Sequence, residues 1–433
     1  PEWDIWNHFS IVEANMALNR DATDGVQSVH VEVTHPDEIN TLFDPAIVYA
    51  KGARLMVMLR KWLGDTDFSA GLHNYFEAHK YGNTVGNDLW VALSETSNKD
   101  VAGLMRPWLD QPGYPVVDVR VENDELVLSQ KQFFVGEGKD EGRVWQIPLN
   151  SSWKGLPDVL GESEIRLSGF AALKAANAGV ALRLNDQNAA HYVVNYEGEL
   201  LTALLSALTT LDEITKFQIL QDRKILAKGE VISYAEVAQL LPYFAGRKSY
   251  IVSQALNQVI SDLMLFVDED SSTEKEFHAI VDGLFKADYA HLGWEKQAGE
   301  SSDDETQRGL VLNKMIFAEN ADAKRKASEI FAAHSDKMQT ISADIRPIIL
   351  NNEIKSTNSK ARVDQFLEAY TKTSVAEYKD ELSTAMSNAK DPAITATLLA
   401  HMKNSAIIKP QDISSWYFRV LSKEFSQDMA WEW

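Results

Sequence analysis

The spacing of apolar residues changes twice along this 433-residue sequence, and that change constrains the fold more than any other feature. In residues 1–112 and 197–433, apolar side chains recur with the spacing of amphipathic helices, about 3.6 residues. In residues 113–196 they alternate with polar ones, as in PVVDVRV and ELVLSQKQF, which predicts short strands. Gln111-Pro112-Gly113 is a strong helix breaker at the first boundary. We therefore predict a multidomain α+β fold with three domains at these boundaries.

The middle block predicts a small antiparallel β-sandwich, because its alternating stretches are separated by glycine, proline and asparagine. Its later stretches are GRVWQIPLNSSW, ESEIRLS, GVALRLN and AHYVVNY. The last block predicts an α-solenoid of helical hairpins, since amphipathic stretches such as SYIVSQALNQVISDLMLFV alternate with polar connectors. We find no regular internal period in it, so this prediction rests on the kind of element.

Composition excludes several classes of function. The formal net charge is −21, which disfavours binding to nucleic acid and to anionic membranes. The sequence holds no cysteine, so disulfides, thiolate nucleophiles and cysteine-ligated zinc are excluded. No apolar run approaches the roughly 18 residues of a transmembrane helix. These features predict a cytoplasmic protein that binds neither nucleic acid nor membrane.

The short motifs of metal and nucleophilic catalysis are missing from the sequence. Its ten histidines form no H-x-x-x-H pair, and H-E-x-x-H, G-x-S-x-G and G-x-x-x-x-G-K-[ST] do not occur. We therefore expect no metal ligands and no bound cofactor within these residues.

A helix start in the segment Thr41–Leu59 has an unusual composition. Asp44 predicts the N-cap of this helix and Pro45 its first residue. Gly64 predicts the end of the helix that follows. The apolar stripe between these signals is nevertheless interrupted in its first two turns.

Three residues make the interruption. Gly52 costs about 1 kcal/mol relative to alanine in a helix interior, which predicts close packing against another element. Lys51 predicts a surface or partnered charge. Tyr49 lies at the flank of the stripe. Composition alone favours a tyrosine at the edge of the core, with its ring packed and its hydroxyl in water.

The segment Thr41–Leu59 resembles part of a known family. It contains FDPAIVYAKGARLMVML, which is similar to the F-D-x-[IV]-x-Y-x-K-G-[AS] segment of zinc aminopeptidases of the aminopeptidase N type, the H-E-x-x-H gluzincin family. Downstream, the chain resembles the family's W-x-x-Q-x-G-[YF]-P crossover in WLDQPGYPVV, and its Q-x-G-[FY]-Y-R-V-N-Y close of the β domain in LNDQNAAHYVVNY. The resemblance covers roughly the first 200 residues; the helical remainder resembles the family's C-terminal solenoid in kind and position.

The resemblance implies a catalytic role for Tyr49. The motif tyrosine of this family donates a hydrogen bond to the oxyanion of the tetrahedral intermediate, and phenols ordinarily keep their proton at neutral pH. The family's zinc activates water and polarises the carbonyl, while the glutamate of H-E-x-x-H is the general base. The implied substrates are peptides that lose N-terminal residues. Residues 1–112 would then be the C-terminal helical half of a thermolysin-like catalytic domain.

The sequence departs from the family in what it lacks. PEWDIW and RDATDGVQSVHVEV resemble the segment after the third zinc ligand, yet the zinc motif and the G-x-M-E-N segment do not precede them. The proline of the family's S-H-P is absent after His30, and Val193-Val194 replaces Arg-Val, so the role of His30 is open. We expect a C-terminal fragment, truncated at its end, without zinc and inactive by itself, whose partner is the missing N-terminal half. The alternative is a metal-free peptide- or protein-binding module.

Overall fold

A computed structural model describes residues 5–269 and 271–433. The chain is mostly helical, with a small β region between two helical regions, as the hydrophobic spacing predicts. It divides into two compact units, Pro1–Phe244 with Ile251–Phe266, and Ala245–Tyr250 with Val267–Trp433. Among the described residues, no helix is both long and apolar enough to cross a membrane.

The first helical region contains seven α-helices and two π-helical segments in its described part. The π-helical segments are π1 (Ser10–Ala14) and π2 (Pro45–Lys51). The α-helices are α1 (Ile5–Phe9), α2 (Asn15–Asp21), α3 (Ile39–Leu42), α4 (Gly52–Leu63), α5 (Asp65–His79), α6 (Gly86–Ser97) and α7 (Val101–Asp110). The predicted stops are confirmed: α4 ends at Gly64, whose φ is 88°, and α7 ends before Gln111-Pro112.

The β region has one four-stranded sheet and one two-stranded sheet among the described residues. The strands are β1 (Pro115–Glu122), β2 (Glu125–Gln132), β3 (Ile147–Pro148), β4 (Val159–Leu160), β5 (Glu164–Ser168) and β6 (Val193–Tyr196). The larger sheet has the order β5-β2-β1-β6, and β3 pairs with β4. β1 and β2 form a hairpin through Asn123-Asp124, both with positive φ, as a two-residue turn requires.

Two details of the predicted antiparallel sandwich are wrong. β6 pairs with β1 in parallel, with Val116 opposite Val193, so the larger sheet is mixed. A long crossover that contains α8 (Phe170–Ala176) leads from β5 to β6, and parallel pairing needs such a crossover. The predicted strand GVALRLN forms no strand, although residues 179–185 are all described. Its backbone bonds irregularly instead: the Leu184 N–H donates to the Tyr196 hydroxyl at 2.7 Å.

Four more helices complete the first helical stretch after the sheet. They are α9 (Gly198–Ser206), α10 (Glu213–Lys228), α11 (Tyr234–Leu240) and α12 (Tyr250–Leu263). The α10 helix is buried along nearly its whole length and packs on β6. α10 therefore belongs to the first compact unit, although it lies after residue 197, where the hydrophobic spacing changes to that of helices.

The second unit is helical throughout its described part. Its helices are α13 (Ser272–Leu292), α14 (Ser302–Phe317), α15 (Ala321–His334), α16 (Arg346–Thr357), α17 (Lys360–Lys372), α18 (Ala376–Met386), α19 (Pro392–Met402), α20 (Ile413–Leu421) and α21 (Glu424–Glu432). Neighbours in sequence pack in pairs, such as α13 with α14 and α15 with α16. A buried ion pair between Arg346 and Glu381 joins α16 to α18.

Candidate functional site

Tyr49 lies in π2, not in the first turn of an α-helix. The regular helix α4 starts only at Gly52, whose N–H donates to the Ile47 carbonyl five residues earlier. The Tyr49 side chain is exposed, at 62%, and its ring stacks on Phe43 with 6.4 Å between ring centroids. π-Helical turns are rare and occur frequently at functional sites. The phenol therefore projects from an irregular turn and is not buried by the other described residues.

The start of π2 is held as the sequence predicts. An Asp44 carboxylate oxygen accepts the Ala46 N–H at 2.9 Å, which is an N-cap, and Pro45 follows. The other oxygen accepts the Arg20 Nε–H at 2.6 Å, a bond from the last turn of α2. Burial alone would raise the pKa of Asp44, but the bonds from Arg20 and Ala46 outweigh it and lower the pKa. Asp44 thus carries its charge at neutral pH and holds the start of the turn.

The end of π2 is held by Lys51, which is completely buried. Its Nζ lies 2.9 Å from an Asp21 carboxylate oxygen and donates to the Gly113 carbonyl at 3.1 Å. The predicted charge is therefore partnered and internal. A lysine is almost never fully buried without a partner, so the sequence could have signalled that one exists. The partner, Asp21, lies 30 residues earlier in the chain and could not be identified from the local sequence pattern.

Asp21 is the centre of a buried polar cluster. Besides Lys51, it accepts the Gly113 N–H at 3.0 Å and the His191 Nε2–H at 3.0 Å. Burial would raise the pKa of Asp21, but the Lys51 charge and the His191 hydrogen bond lower it to about 2. Burial lowers the pKa of His191 to about 4, which outweighs its attraction to Asp21. At neutral pH Asp21 is therefore an ionised carboxylate and His191 a neutral imidazole.

Gly52 does not have the packing role that the sequence predicts. A Cβ added there would meet no heavy atom within 4 Å among the described residues, and the φ of −55° is ordinary for a helix. The prediction of close packing is wrong within this part of the chain. Nothing in the described structure explains the glycine.

A second buried polar group lies one turn further along α4. Arg54 Nη2 donates to Asn188 Oδ1 at 3.0 Å and to the Ala190 carbonyl at 2.7 Å. Burial lowers the pKa of Arg54 to about 10 and raises the pKa of nearby Asp222, on α10, to about 7. These groups were missed by sequence reasoning, because buried arginine and aspartate have no local signature. They attach the start of α4 to the loop before β6.

His30 lies at a different contact. Its Nδ1 is 2.9 Å from Asp110 Oδ1 at the end of α7, and its backbone N–H donates to Leu109. Both side chains of the His30–Asp110 pair are largely exposed. The structure thus gives His30 a surface hydrogen bond with Asp110 and does not bring it into the Asp21 cluster.

The described residues contain no cluster of metal ligands. In residues 5–269 and 271–433, no three histidine, aspartate or glutamate side chains lie together so as to hold a metal ion. The residues described here therefore do not fit the zinc ion that the resemblance implies. What the geometry does provide is an exposed phenol, a hydrogen-bond donor, on a turn whose two ends are held by ion pairs.

Comparisons with known proteins agree with the motifs. A peptidase family M1 domain matches residues 1–108, and an ERAP1-like C-terminal domain matches residues 182–433. The chain is 63% identical over 433 residues to an aminopeptidase N of Lactococcus lactis subsp. lactis (strain IL1403), covering all of this chain and 51% of that protein.

More distant relatives show similar coverage, about half of their length. An aminopeptidase N of Lactobacillus helveticus is 43% identical over 434 residues, which is all of this chain and 51% of that protein. A puromycin-sensitive aminopeptidase of Caenorhabditis elegans is 27% identical over 449 residues, with 46% of its length covered. The chain thus spans about half the length of the curated relatives it matches.

Proposed function

This chain belongs to peptidase family M1 and carries the ERAP1-like C-terminal domain, and from this we propose that it is part of a zinc-dependent aminopeptidase that removes N-terminal residues from peptides. Residues 1–112 then form the helical half of a thermolysin-like catalytic domain, residues 113–196 a β domain, and residues 197–433 an α-solenoid. The two matched ranges, 1–108 and 182–433, support this division. The lack of cysteine supports a cytoplasmic location.

One observation supports a role for a particular residue: Tyr49 exposes its phenol on a π-helical turn that is held at both ends. As a peptide carbonyl is attacked, its oxygen gains negative charge, and a donor already aimed at that oxygen stabilises the transition state more than the ground state. Tyr49 O–H is this donor. The family's zinc, when bound, would activate the attacking water, and we assign its ligands and the general base to parts of the protein outside these 433 residues.

The test is Tyr49→Phe in the full-length enzyme, which removes one hydroxyl and keeps the ring that stacks on Phe43. We expect kcat on an aminoacyl-anilide to fall by about 10²–10³, the usual effect of losing one oxyanion donor, with a small change in KM. The matched control is Tyr243→Phe, at another exposed tyrosine, which should keep wild-type kinetics.

Other outcomes separate the alternatives. An unchanged kcat in Tyr49→Phe would remove this residue from the reaction. A full-length protein that neither binds zinc nor hydrolyses anilides, but binds peptides, would instead support the binding module.

A further inference from the structure

We propose that Arg20 and Asp21, adjacent at the end of α2, form a two-point clamp that fixes both ends of π2 and so positions Tyr49. The inference rests on the proposed function, because it assumes that the Tyr49 hydroxyl acts in the reaction. Arg20, Asp21, Asp44 and Lys51 are positioning residues in this scheme: they act on the reaction only through the turn that carries the phenol.

The geometry of the clamp is explicit. Arg20 Nε reaches Asp44, the residue before π2, at 2.6 Å. Asp21 Oδ2 reaches Lys51, the last residue of π2, at 2.9 Å. The two ion pairs have opposite polarity, so neither clamp residue can pair with its neighbour's partner without bringing like charges together. Two consecutive residues of one helix therefore define where the seven-residue segment begins and ends.

Tyr49 depends on its backbone for its direction. Its side chain is 62% exposed, and the ring contact it makes among the described residues is with Phe43, itself 52% exposed. Within these 433 residues, the direction of the phenol is therefore set chiefly by the turn that bears it. A misplacement of about 1 Å in a reacting geometry can cost about 10²-fold in rate. Fixing the ends of π2 is therefore a direct means of fixing the donor.

The two arms of the clamp differ in strength. The Arg20–Asp44 arm is partly solvated, with the Arg20 side chain 51% exposed, and exposed pairs contribute little to stability. The Asp21–Lys51 arm is fully buried, and removing one partner of such a pair leaves an uncompensated charge. The buried arm should therefore dominate the positioning of Tyr49.

The buried arm also connects the turn to the β region. Gly113, two residues before β1, binds both charges, through its N–H to Asp21 and its carbonyl to Lys51. His191, two residues before β6, binds Asp21 from the other side. The start of the sheet therefore supports the turn that carries Tyr49, within one compact unit.

A double-mutant cycle in the full-length enzyme tests the clamp, with Lys51→Met, Tyr49→Phe and the pair together. We expect Lys51→Met alone to lower kcat by 10- to 100-fold with KM within about 2-fold, since the donor is misplaced and not deleted. In the Tyr49→Phe background, Lys51→Met should lower kcat by less than 2-fold, because the hydroxyl it positions is gone. A purely structural role of Lys51 would lower kcat equally in both backgrounds.

The outcomes are distinct. Multiplying effects, or a wild-type kcat in Lys51→Met, would overturn the clamp while leaving the role of Tyr49 intact. A wild-type kcat in Tyr49→Phe would overturn the proposed function and, with it, the purpose of the clamp.

A second measurement does not depend on turnover. Hydrogen exchange of the peptide spanning residues 45–54 should become at least 10-fold faster in Lys51→Met, and unchanged exchange would contradict the clamp. The matched control is Lys61→Met, whose ion pair with Asp186 is exposed and lies elsewhere on α4. If Lys51→Met does not fold, Arg20→Met replaces it. We then expect a 2- to 5-fold loss of kcat that disappears in the Tyr49→Phe background and is restored by Arg20→Lys; no loss would overturn the exposed arm.

Discussion

Lys51 and Asp21 can be buried only because each neutralises the other. An ammonium or a carboxylate moved alone into the protein interior costs several kcal/mol in lost hydration. Here the Lys51 ammonium binds Asp21 and a carbonyl, and the Asp21 carboxylate accepts from Lys51, His191 and Gly113. A substitution at either residue therefore leaves the other without its partner. Because Gly113 and His191 also bind this pair, Lys51 in π2 depends on residues next to the β strands.

Two buried titratable groups oppose each other as pH changes. The pKa of His191 falls from the ordinary 6.5 to about 4 in the folded protein, so the stability it contributes is lost as pH falls from about 6.5 towards 4. The pKa of Asp222 rises from 3.8 to about 7, so its contribution is present at low pH and is lost as pH rises towards 7. Between about pH 4 and 6.5 the two slopes have opposite signs and nearly cancel.

Removing either group should expose the slope of the other. Relative to wild type, the free energy of unfolding of Asp222→Asn should rise with pH, by about 1.4 kcal/mol per pH unit between pH 4 and 6.5. That of His191→Gln should fall with pH at a similar rate over the same range. Urea unfolding at several pH values, followed by tryptophan fluorescence, measures both differences.

The double variant Asp222→Asn/His191→Gln is the control for this pair, since its pH dependence should return close to that of wild type. Slopes of the same sign in the two single variants would contradict the assigned directions of the pKa shifts.

At the scale of the element, π2 has a locally encoded start and an end that depends on distant residues. Asp44 and Pro45 are adjacent in sequence to the turn they begin, so their roles are readable from the sequence. π2 ends with the hydrogen bond from the Gly52 N–H to the Ile47 carbonyl, next to Lys51, whose buried ammonium pairs with Asp21. Local propensity does not distinguish such a turn from the first turn of an ordinary helix.

Asp44→Ala should weaken this element from its start. It removes the side-chain cap on Ala46 and the partner of Arg20 together. We expect the free energy of unfolding to fall by about 1–2 kcal/mol, the usual cost of a lost cap with a small contribution from the ion pair. The control is Asp65→Ala, which breaks an exposed pair with Arg60 in the first turn of α5 and should cost less than about 0.5 kcal/mol. Equal effects of the two variants in urea unfolding would contradict the capping role.

Features set by neighbouring residues could be predicted from the sequence, and features set by distant residues could not. The cap at Asp44, the stop at Gly64 and the break after α7 are local signals, and the structure confirms them. The parallel pairing of β6, the missing strand at residues 179–185 and the partner of Lys51 depend on residues far away along the chain. For the site, Tyr49 was found through the role that its motif implies. Asp21 and His191 lie in stretches that also resemble the family, but the resemblance implies no role for them, and they were found only through their contacts.

At the scale of the whole molecule, the residues that hold Tyr49 are confined to the first compact unit. They come from the first helical region, from the segment between α7 and β1, and from the loop before β6, and so span residues 20 to 191. The proposed reaction therefore needs this unit together with metal ligands from outside the chain.

This requirement predicts that the 433-residue chain alone does not hydrolyse aminoacyl-anilides, with or without added zinc. The reason is that the proposed reaction uses a zinc ion, and among the described residues no three histidine, aspartate or glutamate side chains lie together so as to hold one. The measurement is anilide hydrolysis by the purified chain beside an equal concentration of the full-length enzyme. Zinc-dependent turnover by the chain that Tyr49→Phe abolishes would contradict the prediction.

The Asp21 cluster also has a consequence for how the protein is made. Asp21 binds partners 92 and 170 positions later in the chain, at Gly113 and His191. Because a ribosome releases residues in order, the turn that bears Tyr49 cannot acquire all of its supports until residue 191 has left the exit tunnel. Contacts of such long sequence separation form late and slowly. During synthesis, then, the Tyr49 phenol is among the first groups to be translated in this region and among the last to be put in place.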